Sequence, residues 1–309
     1  MSTTSSLETP GAPAAARAPE PIKAVPIRHY GQWATAVVVI AVVGGLAWSV
    51  GTNDAIQWNV VGDYMFRPEI FHGIGITLAL TAFSMVAGVI GGILLAVMRL
   101  SGNPVLRTVS AGYLWIFRGT PVLVQIVIWF NLGLVFPTIG IGSFSASTND
   151  LISPFGAALL ALALNEAAYM AEIVRGGILS VDPGQTEAAH ALGYSGPKTM
   201  RLIVLPQAMR VIVPPTGNEV ITMLKTTALV YAIGAQDLFT EAYNFGSKNF
   251  TLFEMYLVAS FWYLVMTTVL TTLQSRLEKK YAKGSHAVTT RTGGITRLFF
   301  LRNAEGGLR

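Results

Sequence analysis

Charged side chains inside otherwise apolar stretches are the residues of this sequence best placed to do chemistry. Arg118, Glu166, Glu172, Glu219 and Lys225 fall within or at the rim of apolar segments, where an unpaired charge is costly. A zwitterionic solute needs a carboxylate for its ammonium group and hydrogen-bond donors for its own carboxylate. One interpretation of the pattern is therefore a path for a polar solute across an apolar barrier.

The competing interpretation is that these groups pair with one another, or with backbone groups freed at helix breaks. We favour pairing for Arg118, which lies at the break Gly119-Thr120-Pro121, and for Glu172, which lies near a helix end. Neither position requires contact with a solute.

Four residues remain candidates for the substrate pathway. Glu166 lies near the middle of an apolar segment beside Asn165, and pathway and structural roles are both open for it. Gln125 could line the path or bridge two helices. Lys225 follows a double proline, and a broken helix exposes backbone groups that can line a cavity.

Nothing in the sequence indicates an enzyme or a metal site. The chain has no cysteine, and its four histidines are scattered without ligand spacing. It contains no G-x-x-x-x-G-K-[ST] phosphate-binding loop. We therefore predict no catalytic residue, no metal ligand and no cofactor on this chain.

The elements that carry these residues are predicted to be membrane helices. Hydrophobic residues make up 52% of the chain and charged residues only 12%, against about 25% charged in soluble domains. Crossing the hydrocarbon takes roughly 20 apolar residues. The predicted fold is all-α and polytopic, with about six spans: Trp33–Val50, Ile74–Met98, Tyr113–Phe136, Pro154–Ile173, Val211–Ile233 and Leu252–Leu273.

The distribution of positive charge predicts the orientation of these spans. Six spans place both chain ends on one side, and that side receives most of the 21 lysines and arginines. The opposite side holds only Arg67 and Lys248 among several acidic residues. Cytoplasmic loops carry the excess of basic residues, so both termini are predicted to be cytoplasmic. The net charge of +5 needs no nucleic-acid partner.

A polar loop over residues 182–206, between the fourth and fifth predicted spans, carries strong helix signals. Asp182 suits an N-cap and Pro183 the first helical position. Gly193 provides the left-handed turn that ends the helix. A second short helix follows, and Pro206 is expected to end it. The predicted structure is a helix, a turn and a helix on the cytoplasmic face.

This loop contains the pattern E-A-A-x3-G-x9-I-x-L-P, formed by Glu187, Ala188, Ala189, Gly193, Ile203, Leu205 and Pro206. The pattern resembles the cytoplasmic loop of bacterial ABC-importer permeases, which docks on the ATP-hydrolysing subunit. Further blocks at 118–125, 168–178 and 214–229 resemble the polar amino-acid branch, the histidine/glutamine permease family. The resemblance covers about residues 71–281.

The resemblance implies a type I ABC importer permease fold with five core helices and one additional N-terminal helix. The chain would form half of a translocation pathway for polar amino acids, paired with a second permease subunit, either the same chain or a sister chain. An extracytoplasmic binding protein would deliver the amino acid. Separate ATPase subunits would bind ATP and Mg²⁺ and dock at loop 182–206. Where relatives usually read Lys-Asp-Thr-Ser-Leu, this chain has Lys-Thr-Thr-Ala-Leu at 225–229.

The predicted organisation has four parts in a bacterial inner-membrane protein. They are a disordered cytoplasmic tail (1–32), the additional helix (33–50), the permease domain (71–281) and a basic cytoplasmic tail (282–309). The main alternative function is an ion- or proton-coupled secondary transporter that uses Glu166 as its ion site. A membrane scaffold that recruits a partner through the loop is a third possibility.

Overall fold

The computed structural model describes residues 30–141 and 144–282. The described residues fall into two compact units, divided between Ala55 and Ile56. In the first unit the described residues form one long helix, α1 (Tyr30–Gly51). Both predicted tails lie largely outside the described residues.

The second unit is built almost entirely from helices, in agreement with the predicted all-α class. A short antiparallel hairpin of β1 (Thr138–Ile141) and β2 (Phe144–Ser147) is an addition to that prediction. The helices are α2 (Trp58–Met65), α3 (Pro68–Leu100), α4 (Pro104–Gly119), α5 (Val122–Phe130), α6 (Thr148–Leu151), α7 (Pro154–Leu179), α8 (Pro183–Ala191), α9 (Gly196–Thr199), α10 (Leu205–Thr226), α11 (Leu238–Asn249) and α12 (Leu252–Ala282).

Four of the described helices, α1, α3, α7 and α12, are long and apolar enough to cross a membrane. The pair α4 and α5 makes a fifth candidate, bent by 101°. The remaining predicted span, Val211–Ile233, corresponds to most of α10 followed by a 3₁₀ helix, Thr227–Ile233. This span is less apolar than the others because its α10 portion carries Glu219 and Lys225.

The helices extend past the predicted spans because hydropathy marks only their apolar portions. α3 begins six residues early, at Pro68, where a proline loses no helical hydrogen bond. α7 continues beyond Ile173 to Leu179, through a charged turn. Long basic side chains at such ends can extend to the aqueous interface.

One predicted span, Tyr113–Phe136, is wrong as a continuous helix. α4 ends at Gly119, Thr120 is extended (φ −117°, ψ 144°), and α5 begins only after Pro121. Proline lacks the amide hydrogen that a helix needs and disfavours helical geometry in the residue before it. The chain therefore turns sharply at residues 119–121 and places this turn against α7.

Small residues allow α3 and α7 to pack closely. A Cβ atom added to Gly88 would lie 2.5 Å from Cγ of Glu166, and one added to Gly92 would overlap Cβ of Met170. Membrane helices commonly use such glycines to bring their backbones together. The close approach fixes the position of the α7 backbone around Glu166.

Replacing Gly92 with leucine is expected to destabilise the protein, because overpacking costs about 1–3 kcal/mol. The measurement is the thermal unfolding midpoint of the purified protein in detergent. Gly75→Leu is the matched control on the same helix, since nothing lies within 4 Å of a Cβ built at Gly75. Equal midpoints for the two variants would contradict the packing argument.

The start of α11 is held by a buried carboxylate at Asp237. It accepts hydrogen bonds from the amide and hydroxyl of Thr240 (2.9 and 2.6 Å) and from the hydroxyl of Tyr263 on α12 (3.1 Å). Burial raises the pKa of the Asp237 carboxyl, and these donors oppose the rise. The Leu238 amide donates to Oγ1 of Thr77, which joins α11 to α3.

Candidate functional site

A cavity of about 510 Å³ lies between the α4–α5 break, α7 and α10, and we call it the central cavity. Its polar lining contains one cationic side chain and two carboxylates. The polar lining residues are Arg118, Thr120, Asn165, Glu166, Tyr169, Glu219, Thr222 and Thr226. The cavity can therefore hold a solute that carries charges of both signs.

Glu166 is the most buried of the charged residues in this lining, with 3% of its surface exposed. Its Oε1 atom is buried and has no hydrogen-bond partner in the described part of the chain. A buried carboxylate normally has its hydrogen bonds satisfied. Glu166 therefore retains an unused hydrogen-bond acceptor at the central cavity.

Glu219 on α10 is half-buried and faces the same cavity. It interacts electrostatically with Glu166 and with Arg118. Glu219 was not among the four residues that the sequence analysis predicted to line the pathway. The sequence feature that could have indicated it is its location just after the double proline of α10.

Arg118 lies at the end of α4 with an exposed side chain. We favoured pairing of Arg118 with other charged groups or with freed backbone groups; within the described residues it forms no salt bridge, and it interacts electrostatically with Glu219. Its guanidinium carbon lies 5.3 Å from the centroid of the Tyr169 ring, which is a cation–π arrangement. The guanidinium hydrogens can therefore still bind an anionic group in the cavity.

Glu172, by contrast, is paired as expected. Its Oε2 lies 2.7 Å from Nη2 of Arg175, and its Oε1 lies 3.4 Å from Nε of Arg99 on α3. The ion pair of Glu172 with Arg99 joins α7 to α3. Glu172 is not among the residues that line the central cavity.

Gln125 and Asn165 are connected to each other at the helix break. The Gln125 amide nitrogen donates to the Phe117 carbonyl (2.9 Å) and the Thr120 carbonyl (3.1 Å). The Asn165 amide donates to the same Phe117 carbonyl (2.9 Å) and to Oε1 of Gln125 (3.2 Å). Asn165 lines the cavity, whereas Gln125 is buried behind the break.

Lys225 lies apart from the other predicted pathway residues. Its side chain is exposed and lines a different cavity of about 430 Å³ with Tyr256, Ser260 and Tyr263 of α12. The structure therefore brings Glu166 and Asn165 together and leaves Lys225 outside the central cavity.

The loop at 182–206 has the predicted first helix and turn. Oδ1 of Asp182 accepts from the Gly184 amide at 2.7 Å, and α8 then runs from Pro183 to Ala191. Gly193 has φ +79°. The amide of Tyr194 donates to the Ala189 carbonyl at 3.0 Å, which is the bond of a Schellman helix ending.

The end of the loop differs from the prediction at Pro206. α9 passes into a π-helix, Met200–Val204, and α10 begins at Leu205 without a break. Pro206 therefore lies in the first turn of α10 and does not stop a helix. The second helix of the loop is thus continuous with α10.

α8 presents an exposed surface formed mainly by small side chains. Ala189 is buried (1% exposed), whereas Glu187, Ala188 and Gly193 are exposed. Leu192 is 78% exposed, and the sequence analysis did not select it. The sequence feature that could have indicated Leu192 is an apolar side chain directly before the glycine of the turn. An exposed leucine beside small residues suits contact with a partner.

Comparison with known proteins agrees with this architecture. Residues 88–283 match the family described as "Binding-protein-dependent transport system inner membrane component". The arginine transport system permease protein ArgU of Corynebacterium glutamicum is 46% identical over 292 residues, which is 94% of this chain and 91% of that protein. The glutamine transport system permease protein GlnP of Escherichia coli K12 is 34% identical over 215 residues, which is 69% of this chain and 93% of that protein.

A solved structure described as an amino acid ABC transporter with histidines is also similar. It has 38% sequence identity and a TM-score of 0.61, and the match covers 69% of this chain and 94% of that chain. The long apolar helices and these comparisons define a multi-pass membrane permease. The chain belongs to the family of binding-protein-dependent transport system inner membrane components and is an amino-acid ABC transporter permease.

Proposed function

We propose that this chain forms half of an ATP-driven import pathway for polar amino acids, with a preference for those that carry an additional positive charge. The observation that carries the proposal is the central cavity, in which one guanidinium faces two carboxylates. A second permease subunit, either the same chain or a sister chain, would form the other half.

The charges of the cavity favour a cationic amino acid. Arg118 suits the α-carboxylate of the solute, because a guanidinium binds a carboxylate through two parallel hydrogen bonds. Glu166 and Glu219 then offer negative charge to the α-ammonium group and to a cationic side chain. The relative named as an arginine transport permease is consistent with this preference.

The coupling site is proposed to be the loop 182–206. The exposed face of α8, with Glu187, Ala188 and Leu192, would enter a groove of a separate ATPase that binds ATP and Mg²⁺. The buried Ala189 and the turn at Gly193 hold that face in place. The excess of basic residues on this side supports a cytoplasmic position and two cytoplasmic termini in a bacterial inner membrane.

The test is uptake into proteoliposomes that contain the permease, its ATPase and its extracytoplasmic binding protein, with ATP supplied on the ATPase side. Labelled arginine should accumulate only with ATP, and unlabelled lysine or arginine should compete better than glutamine or glutamate. Uptake without ATP that follows a proton gradient would instead support the secondary transporter with Glu166 as its ion site. Absence of uptake under both conditions would favour the scaffold.

A further inference from the structure

The break between α4 and α5 leaves a carbonyl group without its usual partner. In a continuous helix the Phe117 carbonyl would accept from the amide of residue 121, but this residue is a proline and has no amide hydrogen. The two side-chain amides of Gln125 and Asn165 donate to this carbonyl instead, each at 2.9 Å. The substitution of partners accounts for a sharp turn that costs no buried hydrogen bond.

The same amides connect the break to α7. Nε2 of Gln125 also lies 2.8 Å from Oγ1 of Thr120, and Oε1 of Gln125 accepts from Asn165 at 3.2 Å. Gln125 is 6% exposed, so water does not compete strongly for these bonds. The result is a hydrogen-bonded clamp formed by Gln125, Asn165 and the carbonyls of Phe117 and Thr120.

The clamp connects the two oppositely charged sides of the central cavity. Phe117 directly precedes Arg118, and Asn165 directly precedes Glu166. Holding the Phe117 carbonyl and the Asn165 side chain in place therefore also holds the adjacent backbone positions that carry the Arg118 and Glu166 side chains. Because a solute must contact both groups together, a small change in their separation costs affinity.

We infer that Gln125 is a positioning residue for amino-acid recognition: through the clamp it holds Arg118 where the guanidinium meets the α-carboxylate of the solute. This inference rests on the proposed function, because it assigns the α-carboxylate to Arg118. Gln125 itself does not contact the solute, since it lies behind the break. Its effect is on Arg118, which binds the α-carboxylate that an amino acid has and its decarboxylated amine lacks.

The experiment measures equilibrium binding to the permease–ATPase complex in nanodiscs without the binding protein, whose own selectivity would mask the effect. The probes are L-arginine and agmatine, the same molecule without the α-carboxylate. The wild type should prefer arginine. Gln125→Met, which keeps the size of the side chain and removes its hydrogen bonds, should reduce that preference by about tenfold, the lower end of the effect of removing the hydrogen-bond partners that orient metal-ligating side chains. Agmatine affinity should change little.

Two controls separate positioning from general stability. Gln207→Met removes a similar amide bond, to the Ile203 carbonyl at 2.9 Å on α10, and should leave the preference unchanged. Arg118→Met should abolish the preference. If Gln125→Met does not assemble, Asn165→Leu removes the other donor to Phe117 without adding a charge to the cavity and should likewise reduce the preference.

The outcomes distinguish the inference from the proposed function. Loss of preference in the Arg118 variant but full preference in the Gln125 variant, or in the Asn165 variant where that takes its place, would overturn the positioning role and leave the function intact. An equal fall in the affinities for arginine and agmatine would also overturn it, because a structural defect affects both ligands. A preference retained in Arg118→Met would remove the assumed site and both claims with it.

Discussion

Replacing Gly193 with valine is expected to reduce ATP-driven amino-acid uptake by about tenfold or more, while the amount of permease in the membrane stays the same. Gly193 has φ +79°, and a β-branched residue is strained by about 1–2 kcal/mol or more in that conformation. A strain of this size shifts a conformational equilibrium by about 5–30-fold. The turn would open and displace Leu192 and the exposed face of α8. The measurements are uptake and permease-stimulated ATPase activity in proteoliposomes.

Two substitutions in the same loop serve as controls for the Gly193 prediction. Gly193→Asn should keep most of the transport, because asparagine tolerates left-handed backbone geometry. Gly196→Ala should be neutral, since Gly196 begins α9, has no positive φ and has nothing within 4 Å of an added Cβ. Nothing lies within 4 Å of a Cβ at Gly193 either, so a clash cannot explain its loss. Normal coupling in Gly193→Val would contradict the docking role of the loop.

Local signals in the sequence were sufficient for the first half of the loop. An Asp-Pro pair at 182–183 and a glycine at 193 correspond to the N-cap, first turn and helix ending that the structure contains. The second half was not predictable in the same way. Pro206 has the same residue type whether it ends one helix or lies in the first turn of the next. Only the π-helix before it, which joins α9 to α10, decides between the two.

The contents of the central cavity were predictable only in part, for a related reason. Hydropathy located Glu166 and Asn165 inside an apolar helix, but it did not indicate which neighbouring helix faces them. That partner is α10, which contributes Glu219 and directs Lys225 toward a separate cavity beside α12. Two residues six positions apart on one helix can face different cavities. The packing of α10 against α7 on one side and α12 on the other sets this choice.

Gln125 is another residue whose role could not be decided without the packing of the helices. The sequence left open whether it lines a path or bridges two helices. Its three short contacts to Phe117 and Thr120 arise because the helix breaks at Pro121 and turns by 101°. A span predicted from hydropathy is continuous, and a continuous helix would have placed these groups apart. The hydrogen bonds of Gln125 could therefore be predicted only once the bend was known.

Converting Glu166 to glutamine is expected to change which solute the permease binds without damaging the protein. Oε1 of Glu166 is buried without a partner in the described part of the chain, so the neutral isostere loses no internal hydrogen bond. It also removes a buried charge, which is costly when unpaired. The thermal unfolding midpoint should therefore stay the same or rise, while binding of cationic solutes falls.

The size of the binding change follows from the charge alone. Hydrogen bonds to charged groups are worth about 1.5–3 kcal/mol, which corresponds to about a 10–100-fold loss of L-arginine affinity. L-Citrulline, an analogue of nearly the same shape with a neutral side chain, should lose less affinity than L-arginine, because only its α-ammonium group contacts the carboxylates. The measurement is equilibrium binding of both amino acids to the permease–ATPase complex in nanodiscs. Glu219→Gln should act in the same direction and less strongly, because Glu219 is half-buried.

Glu172→Gln is the matched control, because it removes a carboxylate from the same helix outside the cavity. This variant breaks the ion pairs with Arg99 and Arg175, so its unfolding midpoint should fall while the ratio of arginine to citrulline affinity stays at the wild-type value. The two variants therefore predict opposite combinations of stability and selectivity. A Glu166→Gln protein that retains the wild-type ratio would show that its carboxylate does not face the cationic side chain of the solute. The preference for cationic amino acids would then have to come from Glu219 or from the binding protein.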